Sequence, residues 1–490
     1  MAEKPKYSRV AQLKTAEELR SYLSIHNVSL QFDSELLARE NSPFNQTAKL
    51  RSGKVIGNRL CILPMEGWDG TKDGKPTDFV KRRWEHFSVS GAKLLWGCEA
   101  VAVAPDGRAN PNQLIMSNDN FPDFAALHQL IINKHSEKFG HANDLVVGLQ
   151  LTHSGRFCKP NDSKKFESKI LYHHPVLNTK FGLGETYPLM TDGEIDELIE
   201  KYIKAAMLAQ KAGFDFVDVK HCHGYLGHEF LSAFNRQGKY GGPFENRTRF
   251  FKNIVEGIRK NAPGLEIGVR LSGFDFIPFK KGPDDVGVPD FNGNNTYESA
   301  FGCTGNGLTI DLKETKSFLA LAESLGIQLI CITAASPYYN PHLTRPALFP
   351  PSDGYSPPEE PLAGVARLIQ VTGQLKKDFP GMMIVGSGYS YLQEWLPNVG
   401  HYVLRNNMAD FIGMGRMVLS YPTMADDILN GRTLERKQIC RTFSDCTTAP
   451  RNGIISGCYP LDALYKNLPQ AAQLKEFKKT ALSDSNNKPS

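Results

Sequence analysis

The sequence contains no uninterrupted apolar run of about 18 residues, so no segment reads as a bilayer span. Its first stretch, MAEKPKYSRVAQLKTAEELRSYL, alternates charge with apolar residues and lacks the apolar core of a signal peptide. One-signed charge is missing as well. The 57 Lys and Arg against 52 Asp and Glu leave +5, spread along the chain, too weak a field to recruit nucleic acid or a membrane surface. Several catalytic signatures are also absent: no GxGxxG follows the first candidate strand, and no Walker A, HExxH or GxSxG sequence occurs. A Rossmann dinucleotide site is therefore not supported. The nine cysteines are odd in number and sit mostly inside apolar runs, where the residue behaves as a small hydrophobe. The expectation is a reduced, cytoplasmic protein without disulfides that acts on a small molecule, with a homodimer allowed.

What is present is an ordinary globular composition, 41% hydrophobic and 22% charged, over 490 residues. From residue 55 to 431 a short apolar run is followed repeatedly by a turn and a helical stretch. The candidate strands are 58–65, 92–103, 144–153, 215–222, 266–273, 327–336, 382–388 and 409–416. Their near-continuous apolar character fits parallel strands buried on both faces. The clearest helix is 191–213, with Thr191 and Glu194 at capping-box spacing and Gly213 at its end; others fall at 121–140, 244–261 and 311–326. Eight such units predict the α/β class and a (β/α)8 TIM barrel over 51–431. An N-terminal extension (1–50) and a C-terminal Cys-containing extension (432–490) lie outside it, the last dozen residues reading as disordered. Residues 154–190 and 274–310 are long loops at strand C-termini, the second expected to be a lid, and Tyr338, Tyr339 and Asn340 are substrate-side candidates.

The polar residues that stand out close the strands. Lys220, His221, Cys222, His223 and Tyr225 form the densest constellation. Metal ligation lacks a convincing third and fourth partner. A Schiff-base lysine, or a donor pair Lys220 and His223 with Tyr225 as proton donor, remain open. Gln150, in an apolar run, offers both amide donors and an acceptor to a uracil-like edge. Arg270 needs a partner, either an electron-rich ring or a plain ion pair with Asp218 or Glu99. Glycines at the ends of strands 7 and 8 (386, 388, 413, 415), with Ser387 and Arg416, predict a phosphate site.

The segments Pro64-Met65, GCEAVAVAPDGR (97–108), VGLQLTHSGR (147–156), HGYLGHEFLSAFNRQGKYGGPFENRTRF (223–250), GVRLSG (268–273) and ADFIGMGR (409–416) together resemble the old yellow enzyme family, over about residues 50–430. The resemblance implies FMN as cofactor, NAD(P)H as co-substrate and ene-reductase chemistry on an activated alkene. It implies Pro64, Met65 and Ala100 along the isoalloxazine, with Glu66 beside them. Gln150 would hold the pyrimidine edge, Arg270 would lie near N1–C2, and Ser387, Gly388, Gly415 and Arg416 would hold the phosphate. Tyr225 matches the proton donor and His223 the second carbonyl-binding residue.

Two positions depart from the family pattern. Lys220 stands where a histidine is usual, and Glu66 where a small polar residue is usual. A carboxylate beside a reduced flavin is unfavourable unless protonated or paired with Lys220; otherwise Glu66 turns into the 67–70 loop. The tail resembles a degenerate cluster motif of the dienoyl-CoA reductase and trimethylamine dehydrogenase branch: Cys446-x11-Cys458 keeps its spacing, Phe443 replaces the second cysteine, and Cys440 is one residue out of register. No iron–sulfur cluster and no metal are expected. The rival readings are a Lys220 Schiff-base lyase and a flavin-binding protein without ene-reductase activity.

Overall fold

The computed structural model describes residues 7–291 and 297–486. Eight parallel strands alternate with helices: β1 (Leu60–Ile62), β2 in two pieces (Leu94–Leu95 and Ala100–Ala102), β3 (Val146–Thr152), β4 (Phe216–Val219), β5 (Glu266–Ser272), β6 (Leu329–Thr333), β7 (Met383–Gly386) and β8 (Phe411–Met414). Each pairs with its neighbour, and β8 returns to β1 with Ile412 opposite Leu60, closing the barrel. The outer helices are α1 (Asp78–Ser88), α2 (Phe121–Phe139), α3 (Asp192–Lys211), α4 (Arg249–Asn261), α5 (Lys313–Ser324), α6 (Pro361–Asp378), α7 (Leu396–Arg405) and α8 (Met424–Leu429).

The local chemistry explains these elements. Thr191 and Glu194 form the expected reciprocal cap on α3, and Gly213 beyond its end takes φ +101°. In α4, Phe250, Phe251, Ile254, Val255 and Ile258 recur at helical spacing and are all buried. Strand alternation splits the apolar runs between two cores. Cys61, Leu63, Val146, Phe216, Leu329, Cys331, Val385 and Phe411 fill the barrel, while Leu60, Ile62, Val147, Val217 and Ile330 pack outward under the helices. A hairpin of Ala48–Lys49 and Val55–Ile56 puts Ala48, Leu50 and Ile56 into the interior cluster, plugging one end.

The stretch read as one strand over 92–103 is interrupted. Gly97 (φ +134°) and Cys98 (φ +50°) break its extended backbone, and a Cβ on Gly97 would come within 2.9 Å of Gln150. Residues 274–310 include a small antiparallel hairpin, Phe279–Lys281 with Gly287–Pro289; positions 292–296 of that stretch lie outside the described residues. The tail also differs from expectation. A helix runs Gln470–Asn486, into the part read as disordered, and 487–490 lie outside the described residues.

Candidate active site

Strand parity carries polar groups to the C-terminal mouth. On β4, Phe216, Asp218 and then Lys220 follow one another on the inner side. Register sets Gln150 beside Asp218, and Asp218 beside Gly268, two residues before Arg270. A cavity of about 240 Å³ opens above them. Pro64, Met65, Glu66, Gln150, Lys220, His223, Tyr225, Arg270, Ser387, Gly388, Gly415 and Arg416 all line it. Ala100 does not; it is buried in β2, and its carbonyl accepts from Gln113 Nε2 at 2.9 Å.

Asp218, fully buried, organises the β3–β5 side. It accepts from Gln150 Nε2 at 2.6 Å, Trp96 Nε1 at 2.8 Å and the Arg270 backbone N–H at 2.7 Å. The Gln150 amide is thereby turned so that its carbonyl oxygen is left for a donor in the cavity. The Arg270 side chain makes no ion pair with Asp218 or Glu99: Glu99 is held by Arg83 Nη2 at 2.9 Å and the Gly67 N–H at 2.9 Å. Arg270 Nε is buried and unpartnered.

Glu66 is the hub of a hydrogen-bonded cluster. Lys220 Nζ donates to its Oε1 at 2.7 Å, and Trp68 Nε1 and the Tyr225 hydroxyl donate to its Oε2 at 3.0 and 2.8 Å. The two sequence-derived alternatives for Glu66 are thus both realised, since Trp68 belongs to the 67–70 loop. Lys220 Nζ also lies 3.9 Å from the Tyr225 ring centroid, and the Tyr225 and Tyr338 hydroxyls are 3.0 Å apart. Burial, then Glu66, pushes the Tyr225 hydroxyl well above the usual phenol range. Burial, with Arg270 and Lys220 nearby, holds His223 well below the usual imidazole range, so it is neutral. His223 has φ +65°, an unusual conformation for a side chain with a Cβ. That left-handed turn lets Lys220 and His223 both reach the cavity although strict alternation would separate them. His221 instead packs outward against Phe251 and Phe318.

The opposite end is cationic. Arg416 Nη1 and Arg345 Nε are buried without partners. The remaining Arg345 nitrogens donate to Thr447 Oγ1 and, at 2.9 Å, to Ser444 Oγ, with no acid among the described partners. Burial and the neighbouring Arg416 pull Arg345 well below the usual guanidinium range. Gly388 has φ +93° with a Cβ position 2.9 Å from Leu368, so glycine is needed there. The Ser387 hydroxyl is spent on the Ile332 carbonyl at 2.7 Å, leaving its backbone as the free group.

Sequence reasoning missed Arg345 and one wall of the cavity. Helix α9 (Asp445–Arg451) directs Cys446, Thr447, Pro450 and Arg451 into the cavity. The expected lid supplies none of the described lining residues. Of the Tyr338-Tyr339-Asn340 set only Tyr338 lines it, because Tyr339 and Asn340 are bound to Asp275 at 2.6 and 3.1 Å. All nine cysteines are free thiols, and no group of three or more His, Cys, Asp or Glu side chains is arranged for a metal ion among the described residues. No described helix is long and apolar enough to cross a membrane.

The mouth of the parallel barrel thus carries buried, unpartnered guanidinium nitrogens at one end and an amide acceptor at the other. Residues 48–293 match the model of the NADH:flavin oxidoreductase / NADH oxidase family, and the chain belongs to that family. It is 31% identical over 229 residues to an NADPH dehydrogenase of Geobacillus sp. (strain WCH70), covering 46% of this chain and 62% of that one. It is 32% identical over 226 residues to an NADPH dehydrogenase of Bacillus velezensis, covering 45% and 61%. The match thus spans under two thirds of these relatives' length. Among solved structures, a 2-naphthoyl-CoA reductase complex aligns with TM-score 0.64 at 18% identity, over 88% of this chain and 58% of that one. The old yellow enzyme homologue from Zymomonas mobilis aligns with TM-score 0.54 at 20% identity, over 80% and 93%. At these identities the structural likeness establishes the fold. FMN is the cofactor of the family.

Proposed function

We propose that the chain is an FMN-dependent ene-reductase, reduced by NAD(P)H and acting on an alkene conjugated to a carbonyl or acyl group. The observation that carries this reading is the pair of unpartnered buried guanidinium nitrogens, on Arg345 and Arg416, at one end of the cavity. A dianionic phosphate supplies the acceptors they lack. The Gln150 carbonyl at the other end fits an imide N–H, and unpartnered Arg270 Nε fits the electron-rich side of the ring. When bound, FMN supplies a hydride acceptor and donor between nicotinamide and substrate.

The chain's own residues do the rest. His223, neutral, donates or accepts a hydrogen bond without adding charge. Lys220 has three N–H donors; Glu66 takes one, which leaves two for the activating oxygen of the substrate. Both lower the energy of the enolate that forms as hydride arrives. Tyr225 supplies the proton to the α-carbon. A Schiff-base role for Lys220 is disfavoured, because an ammonium 2.7 Å from a carboxylate is not the free amine that attack requires.

Absorption spectroscopy followed by stopped-flow mixing tests the reading. The purified protein should carry a flavin band, be bleached by NADPH or NADH, and recover its colour on mixing anaerobically with 2-cyclohexenone. Colourless, folded protein that refuses FMN overturns it. A flavin that recovers only with oxygen leaves a flavin-binding protein without ene-reductase activity.

A further inference from the structure

Glu66 receives three donors, and one of them is the hydroxyl that the proposed function uses as an acid. An acid group whose O–H already points at a carboxylate is not poised to deliver that proton elsewhere. The phenolate left behind would also face a second negative charge. Both difficulties disappear if the carboxyl group takes part.

Resting on that ene-reductase reading, we propose that Glu66 is a further catalytic residue, exchanging the substrate's α-proton through the Tyr225 hydroxyl with Lys220 as its counter-ion. In the reductive direction the Tyr225 O–H bond breaks and a C–H bond forms at the α-carbon. The O–H bond of protonated Glu66 breaks at the same time and the Tyr225 O–H bond re-forms. Glu66 is left as a carboxylate paired with Lys220, the arrangement seen here, and regains its proton from solvent. With the hydride this completes a two-electron reduction. Reversed, the ionised carboxylate draws a proton off the α-carbon through Tyr225.

On the cavity side Lys220, His223, Tyr225, Arg270 and Tyr338 line the same pocket as Glu66, with Arg345, Arg416 and Arg451. In the chamber behind Glu66 lie Arg82, Arg83, His86, Arg416, Cys446, Asp462 and Tyr465. Arg82 is bound to Asp462 and Arg83 to Asp69 and Glu99, and burial pushes His86 down to about 4, so it is neutral. Lys220 is therefore the one cation in this set bonded to the Glu66 carboxylate.

Single-turnover reoxidation of NADPH-reduced holoenzyme by 2-cyclohexenone, from about pH 5 to 9, tests the relay in wild type, E66Q, Y225F and the double variant. The wild-type rate should fall as pH rises, because the relay needs its proton on the carboxyl group. E66Q should lose that limb and run at least about tenfold slower at the acid end. The double variant should be no slower than Y225F, because both changes remove one path. Wild-type rate and limb in E66Q, or losses that multiply in the double variant, overturn the proposal. Should E66Q not fold, E66D must keep a limb, displaced in pH; its absence has the same meaning. Glutamate Cδ-labelled protein observed by ¹³C NMR gives a readout without turnover. The resonance missing in E66Q should move in Y225F, which removes a donor, and again in K220M, which removes the cation; a resonance indifferent to both overturns the relay. If Y225F itself reoxidises like wild type, Tyr225 is not the proton donor and the relay fails; if the wild-type flavin is not reoxidised by the enone at all, the ene-reductase reading fails, and the NMR coupling still judges the Glu66–Tyr225 pair.

Discussion

The two ends of the cavity satisfy their polar groups in opposite ways. Around Glu66 the donors and acceptors meet within the chain: Lys220, Trp68 and Tyr225 converge on one carboxylate. Around Arg416 the cations meet each other, and nitrogens on Arg345 and Arg416 are buried without acceptors. Buried charge without a partner is unfavourable, and the second end keeps donors free for the phosphate proposed above. The first end is closed on itself and holds its proton inventory ready. Polar satisfaction thus differs between the two ends of one pocket, in keeping with the binding and reacting ends proposed above.

The comparison is broken most strongly at Arg416. Each hydrogen bond from a charged group contributes about 1.5–3 kcal/mol, so R416A should weaken FMN binding by about 10- to 150-fold in a fluorescence titration of apoprotein. Arg345 sharpens it further, because its two effects have opposite signs. R345M should lower FMN affinity by about tenfold, while raising the unfolding midpoint of the apoprotein, since it removes a desolvated cation beside Arg416. If the variant lowers both, Arg345 is a structural strut held by Thr447 and Ser444 and not a phosphate ligand. The smallest effect belongs to the cysteines. C446S should change FMN affinity by less than about twofold, within ordinary surface-substitution limits, and elemental analysis of anaerobically purified protein should find no iron.

Much of the site was legible because strand ends and loop glycines advertise themselves in one dimension. Lys220, His223 and Tyr225 stand within six positions, and Gln150 and Arg270 interrupt apolar runs where a polar residue needs a reason. Asp218 was legible only as a partner for Arg270; its orientation of Gln150 depends on a register between strands that no short window contains. Arg345 was hidden for a related reason. It follows an undistinguished turn, Pro341–Thr344, and gains meaning only from Arg416, which lies on another strand's end. The interruption of β2 escaped notice because Gly97 and Cys98 sit inside a run that is apolar on both sides. The lid expectation rested on loop length alone, and length does not say over which edge of a barrel a loop folds. The wall supplied by α9 lies after the repeating pattern has ended, where periodicity has nothing to report.

That wall has a consequence for how the protein matures. Thr447 and Arg451 leave the ribosome after every barrel strand has been made, yet they help enclose the pocket that β1 to β8 prepare. A nascent chain released up to residue 440 possesses the strands and glycines but an open-sided vessel. A vessel closed on that side therefore exists only once α9 has been made, and a stop codon before α9 removes a side of the container while sparing the staves.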